Sequence, residues 1–260
     1  MIQGRYEKKY LLTEETAVAV RKFVAAYLPP DQYMAGAGRE GYHVHSLYLD
    51  SSDCELYRRS VSNEKNRYKL RIRFYDLADD CPAFLEIKRR LGDSIHKQRA
   101  MVTKQSAERL LHGQPLGAAD LLAPSDLSMR ALHEFGELRQ RVGASGVVYV
   151  HYRREAYVAP VDNTRVTFDR FVAAEPFDSK LGFHPNGHRE LLQPACVVLE
   201  LKHSGHAPPW LSDLVATFDL RRTAFPKYIR CFDAIGSRHI PRAPAYARVV
   251  PVGGYPRELA

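Results

Sequence analysis

The segment 67–74 narrows the fold more than any other part of the chain. Arg67, Lys69, Arg71 and Arg73 occupy every second position, and Tyr68, Leu70, Ile72 and Phe74 fill the rest. Strand side chains alternate between two faces, so four cations share one face and four apolar groups share the other. The pattern recurs along the chain. Glu86, Lys88 and Arg90 oppose Leu85 and Ile87, and Lys97 and Arg99 share a face. Glu200 and Lys202 oppose Val197, Leu199 and Leu201, and Arg5, Glu7 and Lys9 share a face. Arg165, Thr167 and Asp169 fall opposite Val166 and Phe168.

One such strand would suit a sheet with a solvated face. Six together do not, because the polar face is mostly Arg and Lys, and like charges on neighbouring strands repel. An anion is needed to make that face favourable. A closed barrel with a polar lumen and an apolar outer face under helices satisfies both patterns. A triphosphate or phosphate polymer would neutralise the lumen, with Arg giving bidentate contacts and Lys a compact charge. The formal net charge of +8 over 260 residues agrees with an anionic partner. Charge alone leaves nucleic acid, nucleotides, phosphate polymers and anionic membranes all open.

The rest of the chain reads as α+β with a dominant sheet. Strands are expected at 2–12, 43–50, 67–76, 83–90, 94–102, 146–158, 164–173 and 196–203. Thr13 should cap a helix whose apolar stripe runs from Ala17 to Leu28, stopped by Pro29 and Pro30. A turn or short helix is expected at 51–60 and helices at 106–112, 125–142 and 208–235, the last broken near 224–226. Residues 1–238 are expected to form one domain and 239–260 a proline-rich tail. The four cysteines, Cys54, Cys81, Cys196 and Cys231, are far apart in sequence and read as reduced cytosolic thiols. No signal core and no run of about 18 apolar residues occurs, so the expectation is a soluble, cytoplasmic protein or one peripheral to the inner membrane through a membrane-protein partner.

Seven segments, taken in order, resemble a known family. They are Arg5-x-Glu7-x-Lys9-Tyr10, the run from Lys69 to Tyr75, Phe84-Leu85-Glu86-Ile87-Lys88, Lys97-Gln98-Arg99, Tyr152-x-Arg154-x-Ala156, Leu199-Glu200-Leu201-Lys202 and Phe225-Pro226-Lys227-Tyr228. Their order and spacing are similar to the VTC domain, the polyphosphate polymerase branch of the CYTH-like triphosphate tunnel metalloenzymes. The resemblance implies an antiparallel eight-stranded β-tunnel with helices packed outside. It implies transfer of the terminal phosphoryl group of ATP to a polyphosphate chain, with Mn2+ or Mg2+. Lys9, Arg71, Arg73, Lys88, Lys97, Arg154 and Lys227 would line the phosphate path, and Arg71, Arg73, Lys88, Lys97 and Arg154 would also grip the nucleotide phosphates. Glu200 would hold the metal, with Glu7 and Glu86 as further candidates for metal or for orienting lysines. The chain departs from the family pattern at Pro226, where a serine is usual.

Other motifs read as bland. Gly36-x-Gly38-x-x-Gly41 matches a dinucleotide fingerprint, but a strand follows it instead of a helix, so a loop is expected. His43 with His45 and His184 with His188 are expected to be solvated. Asp162, Asp169 and Glu155 are expected in surface salt bridges, and Trp210 as a packing anchor. For Glu7, pairing with Lys9 or Arg5 competes evenly with metal binding. Two further functions stand beside the polymerase: a triphosphate hydrolase on the same fold and a binding-only polyphosphate module. Hydrolytic relatives open with E-x-E-x-K, and Arg5 replaces that first glutamate. Nucleic-acid binding is disfavoured because the charged faces of the central strands lack interleaved aromatics.

Overall fold

A computed structural model describes residues 5–37, 41–92, 94–160 and 164–236. Gly38, Asp162, the start of the expected first strand at 2–4 and the segment 239–260 lie outside the described residues. Strand β1 (Arg5–Thr13) runs directly into helix α1 (Glu14–Ala25). The Thr13 hydroxyl accepts from the Thr16 N–H, and Glu14 and Glu15 sit in the first turn, where the helix dipole favours negative charge. Next come α2 (Gln32–Ala37), β2 (Tyr42–Asp50), α3 (Glu55–Val61), β3 (Asn66–Phe74), β4 (Ala83–Leu91) and β5 (Ser94–Val102). The middle holds α4 (Lys104–Leu111) and α5 (Asp126–Arg141). Then follow β6 (Ser145–Val158), β7 (Arg165–Pro176), β8 (Glu190–Leu191), β9 (Cys196–Ser204), α6 (Pro209–Thr217) and α7 (Lys227–Ile235).

The strands form one antiparallel sheet in the order β1-β9-β7-β6-β2-β3-β4-β5, with the short β8 beside β7. This is the expected eight-stranded tunnel with helices around it. Closure differs from expectation. Among the described residues β1 and β5 share no hydrogen-bond ladder, so the sheet is not a closed barrel. It curls far enough to bring Glu7 on β1 within 3.5 Å of Lys88 on β4.

Three apolar clusters hold the helices against the sheet. Leu70, Ile72, Leu85 and Ile87 pack with Leu132 and Phe135 of α5. Tyr10, Leu199 and Leu201 pack with Val20 and Val24 of α1 and Leu214 of α6. Val148, Val172 and Ala174 pack with Cys231, Phe232 and Ile235 of α7. The apolar half of each alternating strand therefore enters a core, and the charged half is left to face inward. Phe135 is fully buried in the first cluster. Phe135→Ala should destabilise the protein by about 3–5 kcal/mol, read from the denaturant midpoint.

Three local features differ from the sequence reading, and the packing role expected of Trp210 is met. Residues 32–37 form a short helix where a loop was expected, and α1 stops at Ala25 with a turn over the residues that follow. The break between α6 and α7 covers 218–226 and is longer than the one expected. Trp210 stacks on Tyr27 at 4.9 Å, so it anchors α6 to the segment after α1.

Candidate phosphate-binding tunnel

A cavity of about 250 Å3 runs along the concave side of the sheet. Its wall takes side chains from β1, β2, β3, β4, β5, β6, β9 and the first turn of α7. Period-two alternation delivers most of them. Arg67, Lys69, Arg71 and Arg73 come from β3, Lys88 and Arg90 from β4, and Glu200 and Lys202 from β9. Register then sets the neighbours. Lys9 lies opposite Glu200, Glu7 opposite Lys202, Arg71 opposite Glu86 and Arg154 opposite Asp169.

Two ion clusters organise the wall. In the first, Lys227 Nζ lies 2.8 Å from Glu200 Oε1 and 2.6 Å from Asp169 Oδ2. Arg154 donates to both oxygens of Asp169, at 2.6 and 2.7 Å, and its Nη2 lies 3.7 Å from Glu200. Lys202 Nζ is 2.5 Å from Glu200, and Lys9 Nζ is 3.4 Å from Glu200 and 3.2 Å from Glu7. Burial alone would raise the Glu200 carboxyl. Lys202, Lys227, Lys9 and Arg154 outweigh it and hold Glu200 well below the usual carboxylate range. Burial opposes the Lys227 charge too, but Asp169 and Glu200 keep its amine above the ordinary lysine value. Glu7 follows the same logic: burial raises it, Lys202 and Lys88 outweigh burial, and its carboxyl falls to about 2.

The second cluster surrounds Glu86, which is fully buried. Arg71 reaches Glu86 Oε2 through Nε at 2.7 Å and Nη2 at 2.6 Å, and Arg73 Nε lies 4.0 Å away. Lys97 Nζ lies 2.5 Å from the other oxygen. Glu86 thus sits behind Arg71 and Arg73 and orients them. Lys97, on β5, touches the site through Glu86 and is not part of the cavity wall.

The other residues singled out from sequence fall on both sides of the cavity wall. Lys9, Arg71, Arg73, Lys88, Arg154, Lys227, Glu7 and Glu200 all line the cavity. Asp169 was expected at the surface and is instead fully buried between Arg154 and Lys227. Glu155 is likewise buried, 2.5 Å from Arg170. Both lie on strands whose two faces are covered, and a sequence pattern does not report that. His45 was expected to be solvated and is buried, with Nδ1 2.7 Å from His151 Nδ1; His43 and His184 are exposed. Pro226 lines the cavity and precedes α7 with no side-chain cap.

The sequence reading also missed the tyrosines. Tyr48, Tyr152 and Tyr228 line the cavity as well, and Tyr48 is the register partner of Arg71. Arg71 donates to the Tyr48 hydroxyl at 3.0 Å and Arg73 to the Tyr152 hydroxyl at 3.1 Å. Tyr228 donates to the buried Asp50 carboxylate at 2.6 Å, which ties α7 to the end of β2. Tyr152 lies two residues before Arg154 and shares its face, so its position was legible; Tyr228 arrives on a helix and was not.

The VTC domain profile matches residues 4–235. The chain belongs to the VTC domain family. A solved structure agrees on the fold: a candidate adenylate cyclase from Bacillus halodurans has a TM-score of 0.51 at 14% identity, covering 89% of this chain and 98% of that one. A protein from Pyrococcus horikoshii gives a TM-score of 0.41 at 13% identity, covering 84% of this chain and 92% of that one. No curated protein matches the chain by sequence. For this VTC domain the likeness supports the CYTH-like tunnel architecture, and family membership supports an enzyme that binds triphosphates or nucleotides. Among the described residues, no helix is long and apolar enough to cross a membrane.

Glu7, Glu86, Asp169 and Glu200 all have folded pKa values below their ordinary ones. A depressed carboxylate contributes stability that is complete above its unfolded pKa and lost as pH falls through the folded one. The share of stability that these carboxylates contribute should therefore hold from neutral pH down to about 5 and then fall steadily as pH approaches about 2. Denaturant midpoints taken at intervals down this range check it, and Glu7→Gln should flatten the acid limb.

Proposed function

We propose that this VTC domain is an ATP-dependent polyphosphate polymerase that moves the terminal phosphoryl group of ATP onto a polyphosphate end in the cavity. What supports this reading most is the makeup of the wall. Lysines and arginines converge on one narrow space, and its carboxylates are already engaged by cations.

The chemistry suits such a wall. Phosphoryl transfer has a loose transition state with charge spread over peripheral oxygens, so positioning and electrostatic stabilisation supply most of the catalysis. The attacking atom is a terminal oxygen of the polymer, ionised at neutral pH, and no protein base is needed. A new P–O bond forms to the polymer as the bond between the β–γ bridging oxygen and the γ-phosphorus breaks, and ADP leaves. Arg71 and Arg73, braced by Glu86, would offer planar forks to phosphate oxygens. Lys9, Lys88 and Lys227 would supply point charges, and Arg154, held by Asp169, would clamp the opposite side.

The donor set can be tested for a divalent ion. Among the described residues no group of three or more His, Cys, Asp or Glu side chains is placed to hold one. Mg2+ is commonly held by one or two carboxylates together with substrate phosphates, and Glu200 with Glu7, linked through Lys9, fits that arrangement. Glu86 does not fit, because it lies behind Arg71 and Arg73 and, unlike Glu200 and Glu7, does not line the cavity. When bound with the phosphates, Mn2+ or Mg2+ would neutralise charge on their oxygens.

The deciding assay incubates the protein with ATP and Mn2+ and follows polyphosphate, ADP and free phosphate together. Matched polymer and ADP, both lost in Lys88→Ala and Glu200→Ala, is the expected result. Free phosphate without polymer would make it a hydrolase. Polyphosphate binding without turnover would make it a binding module, a reading favoured by Pro226 where the family carries serine.

A further inference from the structure

Four lysines of the cavity wall already answer carboxylates of the protein. Lys9 and Lys88 lie 3.2 and 3.5 Å from Glu7, Lys202 lies 2.5 Å from Glu200, and Lys227 lies 2.6 Å from Asp169. Lys69 is the exception: among the described residues no carboxylate oxygen lies within 4.0 Å of its amine. It is half-buried, with its side chain in the cavity wall.

The charged groups that weigh most on it are all cationic, and a tyrosine ring lies beside it. Its register partner on β4 is Lys88. Arg67 and Arg71 flank it on β3, and Lys9 faces it from β1. Its Nζ lies 5.3 Å from the centre of the Tyr228 ring of α7, and Tyr48 of β2 stacks on that ring at 4.6 Å. An ammonium placed directly across from another lysine and partly withdrawn from water is unfavourable unless an anion joins it. A phosphate approaching Lys9 or Lys227 must compete with a carboxylate already in contact, whereas one approaching Lys69 relieves repulsion and displaces nothing.

We propose that Lys69 is the lysine at which a phosphate chain gains most on entering the cavity, and that binding there draws a proton from solvent onto its amine. The proposal rests on the reading of the cavity as a phosphate-chain site. Burial, then Lys88 and Lys9, bring the amine down to about 7, so part of the population is uncharged in the empty protein near neutral pH. A neighbouring phosphate favours the charged form and raises that value. Proton uptake should be present above neutral pH and fade below about pH 6, where the amine is already charged.

The test is calorimetric titration of the full chain with inorganic tripolyphosphate at pH 7.5, in two buffers of different ionisation enthalpy. The difference between buffers reports protons taken up. Lys69→Met should weaken binding about tenfold or more, the order expected on losing a desolvated charge pair, and should lower the uptake. Lys69→Arg should keep affinity within about threefold and lower the uptake equally, because a guanidinium stays charged throughout. Uptake equal to that of the parent in either variant overturns the proposal, as does Lys69→Met affinity within about twofold of the parent. If the parent itself fails to bind tripolyphosphate, the phosphate reading of the cavity falls as well, which separates the two failures.

Discussion

Asp169→Ala should lower the stability of the empty protein by about 3–5 kcal/mol, the usual cost of deleting one partner from a buried ion cluster. Asp169 is fully buried, binds Arg154 through two hydrogen bonds and touches Lys227 at 2.6 Å. Without it, both cations must share Glu200, which already meets Lys9 and Lys202. Equilibrium unfolding in denaturant measures the loss. Asp169→Asn, which keeps the shape but not the charge, should fall between the parent and the alanine variant. Tripolyphosphate should raise the midpoint of the alanine variant more than that of the parent, because its oxygens would replace the missing carboxylate. An alanine variant within about 1 kcal/mol of the parent would show that the cluster contributes little to holding the tunnel together.

The second large effect is expected at Gly41→Ala. Gly41 has φ +84°, and a Cβ there would lie 2.4 Å from the Arg154 carbonyl oxygen and 2.8 Å from its carbon. Neither atom can step aside as a side-chain tip would, since both belong to the backbone of β6. The left-handed conformation adds its own cost for any residue with a Cβ. Together these should destabilise by at least about 2–3 kcal/mol. They should also displace Arg154, whose register partner is Tyr42, the next residue along. Tripolyphosphate affinity should fall with stability. Gly92→Ala is the control: its φ is +56°, but a Cβ there meets nothing within 4 Å. It should cost only about 1 kcal/mol and leave binding unchanged. The last glycine of the apparent dinucleotide fingerprint therefore has a packing role at the tunnel wall.

The strands were legible because a period of two is visible without knowing any partner. The run from Arg67 to Phe74 declared both its faces, and β3 follows it closely. The cap at Thr13 was legible for a similar reason, since the hydroxyl and the N–H it satisfies lie three residues apart. Asp169 and Glu155 show where this stops. Each sits in an alternating strand like many exposed acids, and only the arrival of Arg154 and Lys227, or of Arg170, makes it buried. His45 was misread on the same ground, because its partner His151 is 106 residues away in sequence.

The alternation of charge determined that this chain would build a sheet with a basic concave face, since side-chain direction in a strand depends on the backbone alone. Which cation meets which carboxylate was decided by register and curl, that is, by contacts between residues far apart in the chain. The pairing of Glu7 with Lys88 across the sheet, the bracing of Arg71 by Glu86 and the isolation of Lys69 from carboxylates all belong to that second level. Electrostatic energy depends on separations of a few ångströms in a partly dry space, and only the tertiary structure sets those.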